Sequence, residues 1–478
     1  MHFYFNKLKW LELKSGLLLI KKTEYNFRVK KHFAEHGTLF VSILKWSALA
    51  SIVGLVVGLS TTFFLRALDF GMGLTAGFPY YFLLLPIGLF IGNLSSQLID
   101  KEAAGEGLDK VIHAIHKKNG QIKATVAPAK FIASIITIAA GGSAGKEAPP
   151  VQVGAALASA ASKILRMDSG DRKKLVICSI SAGFASVFGA PIAGAIFGIE
   201  SLFLGQLTYD VLFPSFVSGI VAYQVSLSWG IKYFSKQVTV LPVFSEGVFF
   251  KVILAGMVFG LVSLVFIEFL KFSEKIFSKI KVPSPFKGAA AGLILALLTF
   301  ALGDKRYLGL GLPTIESAVQ GGVMPAGAFL IKILFTSITL GSGASGGIIT
   351  PIFFVGATSG SFFGSTFGFD PATFAAIGMV AVLAGTANTP ISAGILAMEL
   401  FGVRMGTWAA TASVVSYLMV GNRSIHASQI VAALKSSSVR VPMQVEVGEA
   451  EAEVIPRKKG VLGLARRIYA KDSEKALK

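Results

Sequence analysis

The sequence predicts an all-α polytopic membrane protein built from two related halves. Hydrophobic residues make up 53% of the 478 residues and charged residues only 15%, and the mean hydropathy is +0.68. Soluble domains carry about 25% charged residues, so this composition excludes a soluble enzyme. No nucleophile–base pair or cofactor motif stands out in the chain. We therefore expect no enzymatic activity and no cofactor.

Several apolar segments are long enough to cross a bilayer, which takes about 20 residues. They cover residues 38–65, 80–99, 211–229 and 248–270. A basic loop is expected at 271–287, before a shorter apolar stretch at 288–302. The segments after these are shorter than a full span and are interrupted by glycine and proline; they cover 352–367, 374–387 and 391–401. Short, interrupted segments of this kind are typical of transporter binding sites.

The formal net charge of +19 indicates basic cytoplasmic segments rather than nucleic-acid binding, because cytoplasmic loops of membrane proteins are rich in lysine and arginine. The first 37 residues and the tail from Arg457 to Lys478 are both basic, so we place both termini in the cytoplasm. The expected organisation is a cytoplasmic arm, a first transmembrane repeat, a second transmembrane repeat and a short basic tail, at 1–37, 38–240, 241–434 and 435–478. The single cysteine, Cys178, excludes an intramolecular disulfide.

Two sequence patterns recur about 200 residues apart. In one, a proline is followed five residues later by Gly-Ala; in the other, a proline is followed nine residues later by glutamate. The first pattern occurs at 149–155 and 351–357, the second at 191–200 and 390–399, with offsets of 202 and 199 residues. Matching patterns in the same order at a nearly constant offset indicate an internal repeat.

The most unusual stretch is 141–150, where Lys146 and Glu147 lie among glycines and prolines within otherwise apolar sequence. Ionisable residues in such a segment are costly and suggest a function. The prolines at 149 and 150 suit the first turn of a helix, which we expect to run through 151–165 with its N-terminus facing Glu147 and any nearby anion. A phosphate-binding loop is disfavoured because the glycine spacing is one residue too short. An interfacial loop with a Lys–Glu salt bridge remains an alternative.

A polar stretch at 100–125 contains a second candidate group. Asp109, His113 and His116 share one face of a helix by their spacing. A metal site is conceivable for this trio, but a solvated helix face is the favoured interpretation. We therefore expect no bound metal.

Four motifs resemble the signatures of the CLC family of chloride channels and chloride/proton antiporters. The sequence GKEAP at 145–149 is similar to the family's G-K/R-E-G-P, and GIITP at 347–351 is similar to G-x-F-x-P. The sequence GEGLD at 105–109 falls where the family has G-S-G-I-P, and 424–429 falls where it places a pore tyrosine. The motifs follow the family's order, and the resemblance extends over about 38–434.

The resemblance implies a homodimer with one pore per subunit, in which each subunit has two inverted repeats of tilted and broken helices. It places anion sites near the bilayer midplane, where helix N-termini meet. Glu147 would be the gate, because its carboxylate would occupy the outer anion site when ionised and leave it when protonated. The residues expected to bind the anion are Glu106, Gly107, Lys146, Ala148, Ile348, Ile349 and His426.

Five positions depart from the family pattern. Ala148 replaces the second glycine of its signature, a small change, and Ile349 replaces a phenylalanine, which keeps the backbone donor and loses an aromatic wall. The other three departures concern side chains that have a role in the family. Glu106 replaces a serine whose hydroxyl helps to bind the central anion, and His426 replaces the pore tyrosine. Since a carboxylate repels an anion, either a protonated His426 offsets the charge or both side chains turn into cytoplasmic water. Ser201, just after Glu200, lies where the antiporters commonly carry an inner proton-transferring glutamate. An inner proton path would then use Glu106, Glu200 and Ser201.

The resemblance predicts anion transport with chloride as the default substrate, and the presence of Glu147 favours proton exchange over a passive channel. A transporter selective for fluoride or another anion and a non-conducting receptor or scaffold with the same fold remain alternatives. The chain ends about 50 residues after His426, which is too short for the family's regulatory domains and suggests a prokaryotic architecture in a plasma or inner membrane. The expected partners are the anion, protons, membrane lipid and a second copy of the chain.

Overall fold

The structure is a computed structural model that describes residues 2–234, 246–450 and 452–454, with side chains described for 34–75, 77–234, 246–450 and 452. The chain divides into two compact units, Met1–Leu49 and Ala50–Lys478. The first unit is helical from His2 onward. The second unit contains the functional stretches singled out from the sequence. The basic tail expected at 457–478 lies outside the described residues, as do the side chains of most of the N-terminal arm.

The described chain is predominantly helical, as the composition predicts. Its α-helices are α1 His2–Ala76, α2 Leu85–Ile99, α3 Gly107–Lys117, α4 Val126–Ala139, α5 Ala148–Ile164, α6 Ser169–Phe188, α7 Pro191–Glu200, α8 Leu212–Ser228, α9 Glu246–Lys279, α10 Ser284–Leu302, α11 Leu312–Val319, α12 Ala328–Gly341, α13 Ile349–Thr366, α14 Pro371–Ala387, α15 Pro390–Phe401 and α16 Gly406–Val420. Two small sheets accompany them. In one, β1 Phe203–Leu204 pairs in parallel with β2 Ile430–Val431, and in the other, β3 Val439–Arg440 pairs antiparallel with β4 Glu453–Val454.

Five helical stretches in the described chain are long and apolar enough to cross a membrane: Ala34–Thr75, Tyr81–Ile99, Tyr209–Ser228, Glu246–Lys279 and Ser284–Leu302. They match the long apolar segments of the sequence. The prediction of a basic loop over 271–287 is wrong, because α9 continues to Lys279. Residues 271–279 contain neither glycine nor proline, and lysine side chains are stable where a helix leaves the hydrocarbon for water.

Local sequence explains where the broken helices begin and end. Pro191 and Pro390 occupy the first turns of α7 and α15, where a missing N–H costs nothing. The preceding helices end at residues in the left-handed conformation, α6 at Gly189 with φ 71° and α14 at Asn388 with φ 58°. The breaks α6–α7 and α14–α15 are therefore made in the same way, in agreement with the internal repeat.

Helices α13 and α14 pack closely because small residues line their contact. A Cβ atom on Gly360 would lie only 2.0 Å from the carbonyl oxygen of Phe374, so no larger residue fits at that position. Close approach at small residues is the usual means of packing helices within a membrane, where apolar burial between helices gives little driving force.

The short helices α7 and α15 cap each other. The Glu200 carboxylate, at the end of α7, accepts hydrogen bonds from the N–H groups of Ile391 and Ser392 at 3.0 and 2.8 Å. The Glu399 carboxylate, at the end of α15, accepts from the N–H groups at 192 and 193 of α7 at 2.9 and 2.8 Å. The proline-to-glutamate pattern of the sequence thus encodes a reciprocal contact between the two repeats.

We expect Glu399→Ala to destabilise the protein, because the N–H groups of Ile192 and Ala193 in α7 lose their acceptor and Ala193 is fully buried. The expected loss is about 1–3 kcal/mol, measured as a lower melting temperature of the purified protein in detergent. Glu449→Ala, at an exposed position, is the matched control and should melt like the wild type. Equal melting of the two variants would contradict the capping role.

Candidate functional site

Three glycine-containing loops lie side by side within the second unit. The loop before α5 and the loop before α13 pair through Gly145 and Gly347, whose N–H groups donate to each other's carbonyl oxygens at 2.6 and 2.8 Å. The loop before α3 lies against the same segment, because the Gly105 N–H donates to the Gly343 carbonyl at 3.0 Å and Glu106 forms a bridge with Gly346. The N-termini of α3, α5 and α13 therefore converge. The three loops contain the motifs at 105–109, 145–149 and 347–351, which are far apart in the sequence.

Glu147 caps α13 rather than its own helix. Its carboxylate accepts hydrogen bonds from the N–H of Ile349 at 2.6 Å and from the N–H and hydroxyl of Thr350 at 3.3 and 2.8 Å. The side chain is only 2% exposed. A single anionic group thus occupies donors at a helix N-terminus, a position that favours negative charge.

Position 347 requires glycine, because the Glu147 carboxylate lies against it. A Cβ atom at Gly347 would be 2.1 Å from Glu147 Oε1 and 2.9 Å from the Ala148 nitrogen. Distances below 3.0 Å do not occur for real Cβ atoms, so the glycine of the 347–351 motif makes room for the glutamate of the other motif. The two repeats therefore fit each other at this point because position 347 has no side chain.

The other expected residues of these two loops lie around the carboxylate. Ala148 and Ile349 are the first residues of α5 and α13, Ile348 precedes α13, and all three are buried. Lys146 lies near the carboxylates of Asp69 and Glu147. It forms no ion pair with Glu147 among the described residues, so the salt-bridged interfacial loop considered from the sequence is not what the structure shows.

Glu106 and His426 are brought together. The Nδ1 atom of His426 lies 3.8 Å from Oε2 of Glu106, and the imidazole is fully buried. Neither ring nitrogen of His426 has a hydrogen-bond partner within the described part of the chain. The alternative in which both side chains turn into open water is therefore wrong for His426.

Glu106 caps the helix that follows it. Its carboxylate accepts hydrogen bonds from the N–H groups of Leu108 and Asp109 at 2.8 and 2.6 Å, and Gly107 is the first, buried residue of α3. The carboxylate thus uses the N–H donors that α3 would otherwise offer. The Glu106–His426 pair therefore lies where α3 would otherwise present a free N-terminus.

Glu200 and Ser201 lie apart from this group. Glu200 is engaged with α15, and the Ser201 hydroxyl is buried without a partner among the described residues. No hydrogen bond joins either residue to Glu106 or Glu147 in the described ranges. One link does exist: Gln429, three residues after His426, donates its amide to the Ser201 carbonyl at 2.8 Å.

The trio Asp109, His113 and His116 separates in the structure. Asp109 accepts from the N–H and hydroxyl of Ser428 at 2.8 and 3.0 Å, and His116 Nε2 lies 3.0 Å from the Leu202 carbonyl oxygen. His113 lies 3.6 Å from Glu446. The solvated face favoured from the sequence is therefore wrong for Asp109 and His116, which instead attach the 424–450 segment and β1 to α3. No group of three potential metal ligands occurs in the described ranges.

Two buried lysines, Lys130 and Lys332, escaped the sequence analysis. The Lys130 ammonium donates to the carbonyl oxygens of Gly105 and Ala103 at 2.6 and 3.3 Å and lies near both Glu106 and Glu147. Lys332 does the same in the second repeat, donating to the carbonyls of Tyr307 and Gly309 at 3.0 and 2.8 Å. Lys130 and Lys332 are 202 residues apart, as are the prolines at 149 and 351. This equal spacing is the sequence pattern that could have predicted them.

Comparison with known proteins gives consistent matches. A family model described as voltage gated chloride channel matches residues 87–421. A protein of Pseudomonas syringae pv. tomato, described as a chloride/fluoride channel protein, is 37% identical over 403 residues, covering 83% of this chain and 88% of the relative. An H(+)/Cl(−) exchange transporter ClcA of Yersinia pestis bv. Antiqua is 26% identical over 391 residues, covering 74% of this chain and 79% of the relative.

Solved structures match the fold. A CLC-type fluoride/proton antiporter superposes with a TM-score of 0.78 at 25% identity, covering 82% of this chain and 99% of the other. A slow cyanobacterial Cl⁻/H⁺ antiporter superposes with a TM-score of 0.68 at 20% identity, covering 80% and 96%. These matches confirm the expected fold class of two inverted repeats of tilted and broken helices.

We expect Gly347→Ala to displace the Glu147 carboxylate from the N-terminus of α13, because the added methyl group takes its place. A structure of the purified variant by cryo-electron microscopy measures the displacement. Gly73→Ala is the control, since a Cβ atom there meets nothing within 4 Å. An unmoved carboxylate in the Gly347 variant would show that the loop yields instead.

Proposed function

The chain belongs to the voltage-gated chloride channel (CLC) family, and from this we propose that it exchanges a small halide for protons, with Glu147 as gate and proton carrier. CLC-type anion transport by an integral, multi-pass membrane protein follows from the family. The exchange mode, the halide and the roles of individual residues are the proposal.

One observation carries it: the Glu147 carboxylate accepts hydrogen bonds from Ile349 and Thr350 at a buried helix N-terminus. An ionised carboxylate and a halide require the same donors, so only one of them binds at a time. Protonation removes the charge that the helix N-terminus attracts, and the side chain then leaves the donors to the halide. A group that alternates with the anion and carries a proton couples the two movements.

The inner end of the path favours fluoride as the first anion to test. Fluoride is the smallest halide and the strongest hydrogen-bond acceptor, and it needs strong donors to replace its water. The buried His426 beside Glu106 supplies a donor, because even a neutral imidazole carries one N–H and neither ring nitrogen has a hydrogen-bond partner in the described part of the chain. The Pseudomonas relative is described as a chloride/fluoride channel protein and the structural relative as a fluoride/proton antiporter, which supports fluoride before chloride.

A passive anion channel is the second candidate. Ser201 cannot carry a proton at the inner position, where the family's antiporters commonly have glutamate, and the Pseudomonas relative is described as a channel. In a channel, Glu147 would only open and close the path.

Proton movement in proteoliposomes under an imposed fluoride or chloride gradient, with the voltage clamped by a potassium ionophore, separates these candidates. Uphill proton movement that follows the anion gradient supports exchange. Anion flux without coupled protons supports the channel. Absence of flux for both anions at every pH tested would contradict transport and favour the receptor or scaffold.

We expect Glu147→Gln, which mimics the protonated gate, to abolish proton coupling while anion flux continues. The measurement is the same proteoliposome assay, in which proton movement should fall to the level of protein-free vesicles. Glu449→Gln is the control and should keep full coupling. Uphill proton transport that persists in the Glu147 variant would refute the gate assignment.

We expect Thr350→Val to raise the apparent affinity for the external halide, because the Glu147 carboxylate loses its hydroxyl donor and competes less well. Loss of one hydrogen bond, worth about 1 kcal/mol, corresponds to a change of about fivefold. Thr350→Ser keeps a hydroxyl and should resemble the wild type in halide-dependent flux. A weaker halide affinity in the valine variant would assign the hydroxyl to the anion instead of the gate.

A further inference from the structure

A cavity of about 790 Å³ opens on the basic side of the molecule, away from the glycine loops. It lies where the end of α3 and the end of α5 meet the starts of α4 and α6. Its lining includes Glu102, Lys118, Lys123, Lys163 and Arg172. Neither the anion path nor the gate described above uses these side chains.

The cavity is strongly cationic. Four basic side chains line it against one carboxylate, and that carboxylate, Glu102, is paired with Lys118 at 2.9 Å. Lys123 lies near Asp100, which is outside the lining, and Lys163 lies in the last turn of α5. The other three basic side chains, Lys123, Lys163 and Arg172, have no carboxylate partner in the lining. A cavity of this volume and charge therefore favours an anion larger than a halide.

Arg172 is positioned to bind a phosphate. Its Nε atom donates to the Ser162 hydroxyl at 3.2 Å, which fixes the plane of the guanidinium group. Its two terminal nitrogens form no hydrogen bond with any residue that the structure describes. A planar guanidinium with free donors suits the geometry of phosphate oxygens, and the amides of Asn119 and Gln121 add neutral donors.

The surroundings indicate a membrane lipid as the source of the phosphate. Ile164 and Leu165, directly after Lys163, are 81% and 58% exposed, as expected of side chains that face acyl chains. The neighbouring segments are rich in lysine and arginine, including Lys101, Lys110, Lys117, Arg166, Lys173 and Lys174, which places this side in the cytoplasm by the positive-inside tendency. Basic pockets on the cytoplasmic side, beside apolar surface, attract anionic headgroups.

We propose that this cavity binds the phosphate-bearing headgroup of an anionic phospholipid of the cytoplasmic leaflet. Lys123, Lys163 and Arg172 bind the phosphate oxygens, and the acyl chains lie against Ile164 and Leu165. The site is separate from the halide path, so the proposal stands or falls independently of the transport mode.

The test is binding of dioctanoyl phosphatidylglycerol to the purified full-length protein in detergent, measured by native mass spectrometry against dioctanoyl phosphatidylcholine. The variant K123E/K163E reverses two charges without removing any hydrogen bond of the described fold. We expect its affinity for phosphatidylglycerol to fall about tenfold or more. The matched control, K275E/K279E, changes two exposed lysines of α9 and should bind like the wild type.

Equal affinities of the two variants, both folded by size-exclusion chromatography, would overturn the site. Binding of phosphatidylcholine as tightly as phosphatidylglycerol would also overturn it, because the headgroup charge would then play no part. Inorganic pyrophosphate serves as the soluble competitor. If it fails to displace the lipid, the lipid assignment is supported; if it displaces the lipid at micromolar concentration, the cavity is a site for soluble phosphates and the lipid assignment is overturned.

Discussion

The architecture depends on satisfying helix N-termini that begin inside the protein. A helix that starts at the surface gives its first N–H groups to water, but α3, α7, α13 and α15 start among other helices. In each case a carboxylate accepts from those N–H groups: Glu106 for α3, Glu399 for α7, Glu147 for α13 and Glu200 for α15. These four helices are stable in the interior because each N-terminus has such a partner.

The four carboxylates differ in their position relative to the helices that they cap. This difference indicates which of them hold the fold together. Glu200 and Glu399 lie at helix ends, and each holds the other's helix, so they join the two repeats. Glu106 caps the helix that it immediately precedes. Glu147 extends from a loop to a helix of the other repeat, and one of its donors is a side-chain hydroxyl. We propose that this carboxylate is the one that an anion replaces, because its donors at the N-terminus of α13 are the groups that a halide also requires.

The loops between the broken helices need hydrogen-bond donors, because their carbonyl groups are also removed from water. Lys130 and Lys332 supply it with buried ammonium groups that donate to the loops before α3 and α11. Carboxylates thus satisfy free N–H groups, and lysines satisfy free carbonyls. Glu200 and Glu399 occupy corresponding places of the two repeats, as do Lys130 and Lys332, whereas Glu106 and Glu147 occur in the first repeat alone. This distribution explains how an otherwise apolar bundle contains fully buried ionisable side chains.

The sequence by itself determined the membrane class, the internal repeat and the position of the helix breaks, and it singled out Glu147. These follow from hydrophobic length, from glycine and proline positions, and from an ionisable residue where charge is costly. It did not show that Glu147 contacts Thr350, that Glu106 and His426 face each other, that Lys130 is a neighbour of both carboxylates, or that α9 extends past its apolar run. Those facts depend on which loops meet after folding. Residues about 200 positions apart become hydrogen-bond partners only when the two repeats pack together, and local propensity contains no information about that pairing.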